Sequence, residues 1–180
     1  MSIVHLNIGS NQNRRANIRL AIKALEQHFS NIELSSLFES PSEGFQGNDF
    51  YNVGVNITTL KTSHEVVDIL HDIENSLGRD RSLPKFSSRM IDLDLVLYGG
   101  IIDDSLNVPR KDILKYAFVL APLAELNPEA IHPLEGTSYQ NLWKTFQSKQ
   151  DYDLRQYNVC LLYTSPSPRD RSLSRMPSSA

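Results

Sequence analysis

The feature that most constrains this chain is a change of hydrophobic period, from two residues to about 3.6 and back, made twice along its first half. Val4, Leu6 and Ile8 alternate with His5 and Asn7 and stop at Gly9-Ser10-Asn11, which predicts a strand ending in a turn. Ile18, Ile22, Leu25 and Phe29 then recur at helical spacing through NRRANIRLAIKALEQHF. IELSSLFES and FYNVGVNITT read as two strands of a hairpin, the second with Tyr51, Val53, Val55 and Ile57 in phase. In TSHEVVDILHDIENSLG a second stripe runs through Val66, Leu70, Ile73 and Leu77; Thr62 or Ser63 can cap its start and Gly78 can end it. RMIDLDLVLYG is a further strand, after which Gly99-Gly100 allows a turn into a short hairpin partner.

The resulting order, β-α-β-β-α-β, is the ferredoxin-like arrangement of the α+β class, an antiparallel sheet with two helices packed on one face. FVLAPLAEL and SYQNLWKTFQ add peripheral helical turns, and no internal repeat is visible. A length of 180 residues suits one domain, placed at residues 1–158. After Val159 the chain reads CLLYTSPSPRDRSLSRMPSSA, rich in Ser, Pro and Arg, and residues 159–180 are expected to be a disordered tail. That segment also resembles the translated read-through of a sequencing adapter.

Composition excludes several classes. The single cysteine, Cys160, leaves no internal disulfide framework and no multi-thiolate zinc site. No apolar run is long enough to span a bilayer, and MSIVHLNIGS lacks the pattern of a signal peptide, so a cytoplasmic location is expected. A net charge of -3 disfavours broad nucleic-acid binding. His64 and His71, two turns apart on the second helix, read as a polar face and receive no role.

The chemistry concentrates in RMIDLDLVLYG. Strand alternation puts Asp92 and Asp94 on one face, about 7 Å apart at Cα, with Ile91, Leu93 and Leu95 on the other. Mg2+ takes one or two carboxylates together with substrate phosphates, so such a pair suits a nucleotide-bound metal, although a bare Asp-x-Asp is more often a solvated strand face. Its company tilts the balance: Arg79, Arg81, Lys85 and Arg89 precede the strand, and Arg110 and Lys111 follow it. Arginine, lysine and Mg2+ supply what phosphoryl transfer asks of a protein, position and charge stabilisation. Neither a P-loop nor a Rossmann glycine cradle is present, so side chains and metal must hold the phosphates.

IGSN after the first strand, SPSEGFQGNDFYN, ENSLGRDR and KFSSRMIDLDLVLYG together resemble the hydroxymethyldihydropterin pyrophosphokinase family, over nearly all of residues 1–158. The most specific element is Arg-x-x-Asp-Leu-Asp, here Arg89, Asp92 and Asp94. The resemblance implies ATP-dependent pyrophosphoryl transfer to 6-hydroxymethyl-7,8-dihydropterin with release of AMP, in folate biosynthesis. It implies two Mg2+ ions on Asp92 and Asp94, with Arg79, Arg81 and Arg89 on the polyphosphate. Glu74, Lys85, Ile91 and Arg110 would border ATP. Asn52 would read the pterin edge between Phe50 and Phe118, with Ser40, Pro41 and Glu43 lining the pocket and the loops at 39–50 and 79–88 closing over both substrates.

The nucleotide side departs from the family pattern at Ser82, Phe86, Ser87, Arg110 and Tyr116. The implied partners are the two small substrates, without nucleic acid or membrane, bound by a monomer. Taken without the resemblance, the residues leave open a ferredoxin-like binding module, for a small ligand or RNA, and a different ATP-dependent phosphotransferase.

Overall fold

The protein is described by a computed structural model covering residues 2–43, 46–78, 91–163 and 174–175. Its elements run β1 (Ser2–Ser10), α1 (Arg14–His28), β2 (Ser30–Ser40), β3 (Phe50–Thr59), α2 (Ser63–Ser76), β4 (Asp92–Tyr98), α3 (Ala117–Leu126), α4 (Tyr139–Lys149), β5 (Arg155–Tyr157) and β6 (Ser174–Arg175). The strands lie in the order β4-β1-β3-β2-β5-β6. Every described pairing is antiparallel, so the first four strands have the expected ferredoxin-like topology.

Val4, Leu6 and Ile8 of β1, Val53, Val55 and Ile57 of β3, and Leu93 and Leu95 of β4 all face one side, as their alternation requires. Against them pack Ile18, Ile22 and Leu25 of α1 and Val66, Leu70 and Ile73 of α2, every one buried. Each such side chain contributes about 1.5–3 kcal/mol when taken out of water. The start of α2 is fixed by a capping box: Thr62 Oγ1 accepts from the Glu65 N–H while the Glu65 carboxylate accepts from the Thr62 N–H. Gly78, at φ 87°, leads the chain out of the helix in a conformation that favours glycine.

The second face of the sheet is not left to solvent, which revises the expectation of merely peripheral helices. α3 and α4 carry a core of their own, in which Val119, Leu120, Leu123, Tyr139 and Phe146 pack with Phe38, Val96 and Leu97 from the sheet. Gly54 makes that approach possible, because a Cβ there would lie 2.7 Å from Pro122 Cβ. The register between β1 and β4 shifts between His5 and Leu6, so Val96 is an extra residue, and it and Leu97 both enter the second core. Beneath α3, His5 Nδ1 bonds Asn56 Oδ1 at 2.8 Å, and Asn56 exchanges two amide bonds with Asn127. Burial holds His5 down at about 4, so the ring is neutral.

Two local expectations change. Beyond Gly99-Gly100 there is a single bridge, Asp103 to Val108, in place of a hairpin strand. Past the expected boundary, Val159–Leu162 form a 3-10 turn with Leu161 and Leu162 buried in the first core, and Ser174–Arg175 pair with β5. The apolar pair Leu161-Leu162 is what ties this turn to α1 and β2, a signal masked by the Ser/Pro composition downstream. Among the described residues no helix is long and apolar enough to cross a membrane.

Candidate functional site

The second face is covered by α3 only in part. Its other end, where β1 and β2 finish and β3 and β4 begin, carries the polar residues. Register places Asp92 opposite Gly9, Gly9 opposite Asn52 and Asn52 opposite Phe38, one row across four strands. The next row inward runs Asp94, Asn7, Gly54. With neighbouring strands about 4.8 Å apart, the carboxylates of β4 and the amide of β3 flank a gap about two strands wide. Gly9 lets the amide and the ring come close over β1: a Cβ there would sit 3.1 Å from Asn52 Oδ1 and 3.8 Å from the Phe50 ring.

Asp92 and Asp94 are half-buried and face the same side, as strand alternation predicts. Burial, and then the charge of Asp92, push Asp94 up to about 7, against the opposing pull of Arg110; Glu74 and Asp112 add to the rise. A carboxylate pair under that repulsion is a donor set that fits Mg2+, which relieves the charge and takes its remaining ligands from phosphates and water. Among the described residues no three His, Cys, Asp or Glu side chains surround a common metal position, so an all-protein cage is not on offer.

Two neighbours set the pair. Glu74, 1% exposed on α2, accepts from the Leu93 N–H at 3.0 Å, so it grips the outer edge of β4 between the two aspartates. Arg110 donates its main-chain N–H to Val96 O, the carbonyl of the bulged residue, and its guanidinium lies 3.6 Å from Asp94 Oδ1 and 2.7 Å from Asp112 Oδ2. The bulge therefore delivers a cation to the Asp94 carboxylate. Ile91 is fully buried in the first core, which limits any contact with nucleotide to its main chain.

On the opposite side of the gap, Asn52 is 3% exposed and donates from Nδ2 to Ser40 Oγ at 3.1 Å. That bond points the carboxamide oxygen toward Gly9, where it can accept from a ligand. Phe50 is half-buried beside it and Pro41 follows Ser40, while Glu43 is exposed in the connecting loop. The loop is sewn to the β1 turn by Asn11 Nδ2 to Asn48 O and Asn48 Nδ2 to Asn11 O. Phe118, half-buried at the start of α3, stacks on Tyr116 with ring centroids 5.1 Å apart and planes 16° from parallel. Arg79, Arg81, Lys85 and Arg89, with the departures Ser82, Phe86 and Ser87, lie outside the described residues.

Two elements of this region were not singled out from the sequence. Gly9 read as a strand end and as part of the IGSN segment without a role of its own, and Asn7 only as a polar position of β1. The available signal was the pair His5 and Asn7, two polar residues in phase on a strand whose neighbours are strongly apolar. A cleft of about 430 Å³ lined by Asn11, Asn13, Arg14, Glu39, Asn48 and Asp49 lies beside this site but does not include the carboxylate row. Within it Glu39 bridges Arg14 at 2.6 Å and Arg155 at 2.7 Å, a clamp between α1, β2 and β5.

Residues 5–128 match the model of the 7,8-dihydro-6-hydroxymethylpterin-pyrophosphokinase family. The chain is 34% identical to the 2-amino-4-hydroxy-6-hydroxymethyldihydropteridine pyrophosphokinase of Bacillus subtilis over 131 residues, covering 69% of this chain and 78% of that protein. It is 34% identical to the enzyme of the same name from Aquifex aeolicus, covering 74% of this chain and 86% of the other. Other relatives are longer: the chain spans 38% of the bifunctional protein FolKE of Lactococcus lactis and 20% of the folic acid synthesis protein of Dictyostelium discoideum. In fold it is similar to a crystal structure of Plasmodium falciparum HPPK-DHPS with pterin and p-hydroxybenzoate, at a TM-score of 0.67 and 14% identity, over 82% of this chain and 43% of that one.

Proposed function

The chain belongs to the 7,8-dihydro-6-hydroxymethylpterin-pyrophosphokinase family, and from that premise we propose that it transfers the pyrophosphoryl group of ATP to the hydroxymethyl group of 6-hydroxymethyl-7,8-dihydropterin, releasing AMP, in folate biosynthesis. The observation that carries this reading is the single row Asp92, Gly9, Asn52: an acidic pair and an oriented amide on one face, separated by a residue without a side chain.

Asp92 and Asp94 would hold two Mg2+ ions, which supply charge neutralisation on the phosphate oxygens and polarise the β-phosphorus. Arg110, 3.6 Å from Asp94 Oδ1, would pair with polyphosphate oxygens while keeping Asp94 in place. Asn52, fixed by Ser40, would accept from the pterin edge, with Phe50 and Phe118 as ring contacts and Pro41 and Glu43 at the rim. Arg79, Arg81, Lys85 and Arg89 complete the set as polyphosphate contacts, Glu74 positions the strand and Ile91 borders the nucleotide through main chain. The pterin hydroxyl attacks the β-phosphorus in line, the bond from that phosphorus to the AMP oxygen breaks, and the hydroxyl proton is released to solvent. A monomer acting on small molecules in the cytoplasm, without nucleic acid or membrane, is the setting that ATP and pterin imply.

The decisive assay is AMP formation from ATP and Mg2+ with and without 6-hydroxymethyl-7,8-dihydropterin. Pterin-dependent AMP is expected; pterin-independent AMP, or ADP in its place, would overturn the reaction class.

A further inference from the structure

Asn7 is 6% exposed, and its Oδ1 is buried without a hydrogen-bond partner. A desolvated acceptor is normally supplied with a donor, so an orphan one position in from Gly9 and opposite Asp94 points to a donor that arrives with a ligand. The surroundings narrow the choice. To this face β1 presents Gly9, Asn7 and His5. His5 is committed to Asn56 and crowded with Pro122 against Gly54, and Gly9 has no side chain. Asn7 lies in register between Asp94 on β4 and Gly54 on β3.

Because β1 separates β4 from β3, a substrate whose ring edge meets Asn52 and whose reacting oxygen reaches the carboxylate row must cross β1. On the reaction proposed above, on which this inference rests, the crossing group is the hydroxymethyl arm, and it carries one O–H donor. We propose that Asn7 Oδ1 accepts that hydrogen bond and so turns a lone pair of the hydroxyl oxygen toward phosphorus. A carboxamide does not take up the proton, so Asn7 orients the nucleophile and is a positioning residue, not its base.

The test compares 6-hydroxymethyl-7,8-dihydropterin with 6-methyl-7,8-dihydropterin, which lacks only the hydroxyl. Equilibrium binding of each is measured for the wild type, Asn7→Leu and Asn7→Ala, with Mg2+ and a non-hydrolysable ATP analogue present. The wild type should prefer the hydroxymethyl compound by roughly 3- to 10-fold, one hydrogen bond's worth. Both variants should bind the two pterins alike, with affinity for the methyl compound preserved. Asn7→Ala repeats the measurement in a smaller side chain if leucine is not accommodated.

A preference that survives in the variants overturns the proposal. So does an equal loss for both pterins, which would mean that the amide is structural or shares a buried water with the unpartnered His5 Nε2. Absence of preference in a wild type that still makes pterin-dependent AMP overturns the role of Asn7 and leaves the reaction standing. A wild type that binds neither pterin overturns both.

Discussion

Glu74 accepts a hydrogen bond from the Leu93 N–H, the main-chain group lying between the two aspartates of the site. The contact fastens α2 to the outer edge of β4 at the point where both carboxylates are displayed. A residue expected beside the nucleotide thus also fixes the strand that carries Asp92 and Asp94. Glu74→Gln keeps an acceptor and should retain most of the stability, whereas Glu74→Ala leaves a buried N–H unpaired and should cost about 1–3 kcal/mol. Urea unfolding of the two variants measures the difference; equal losses would mean that the charge, not the hydrogen bond, is what counts.

Asp94→Asn should abolish pyrophosphoryl transfer without unfolding the protein. Burial, and then the charges of Asp92 and Glu74, disfavour its ionised form against the pull of Arg110, so removing its charge should not destabilise the metal-free protein. A melting temperature equal to or above the wild type, together with AMP formation at background, is the expected pair of results. Retained activity would remove Asp94 from the metal set.

Gly9→Ala would place a methyl 3.1 Å from Asn52 Oδ1, in the gap between amide and carboxylates. Pterin affinity should fall by an order of magnitude or more, on the order of the 1–3 kcal/mol that overpacking costs, while binding of ATP with Mg2+ changes little. Ser40→Ala should act on the same side more mildly, because it frees Asn52 to turn without filling the gap. Calorimetric titration with each substrate separates the two effects, and a parallel loss of nucleotide binding in Gly9→Ala would show that the gap belongs to ATP.

Acid should destabilise the fold between about pH 6.5 and 4 through His5. Burial lowers its folded value from 6.5 to about 4, so in that interval the unfolded chain takes up a proton that the folded chain does not, and stability falls as pH falls. Below the folded value the loss is complete. His132, also lowered by burial, adds in the same direction. Chemical unfolding of His5→Gln against wild type at pH 7 and pH 4.5 should show a smaller pH penalty in the variant, and an unchanged penalty would assign the acid sensitivity elsewhere.

Leu162→Ala should cost about 2–5 kcal/mol, the price of a cavity in a packed core, despite standing where the sequence turns to tail-like composition. Thermal melting decides it; a shift within error would mean that the turn adds nothing to the core and would favour a domain ending at residue 158.

The sequence by itself determined the order of elements, their main facing and the acidic pair, because a period of two or 3.6 is a local property that burial then has to respect. Alternation alone put Asp92 and Asp94 on one face, and the IGSN, SPSEGFQGNDFYN and Arg-x-x-Asp-Leu-Asp segments carried the family resemblance. Tertiary structure decided what lies across from what. Gly9 separates Asn52 from Asp92, Asn7 stands beside Asp94, Val96 bulges to carry Arg110 to the site, and Glu74 reaches Leu93. Each depends on strand register or on helix packing between segments far apart in the chain, and a one-residue slip in register would turn every one of these strand side chains to the other face.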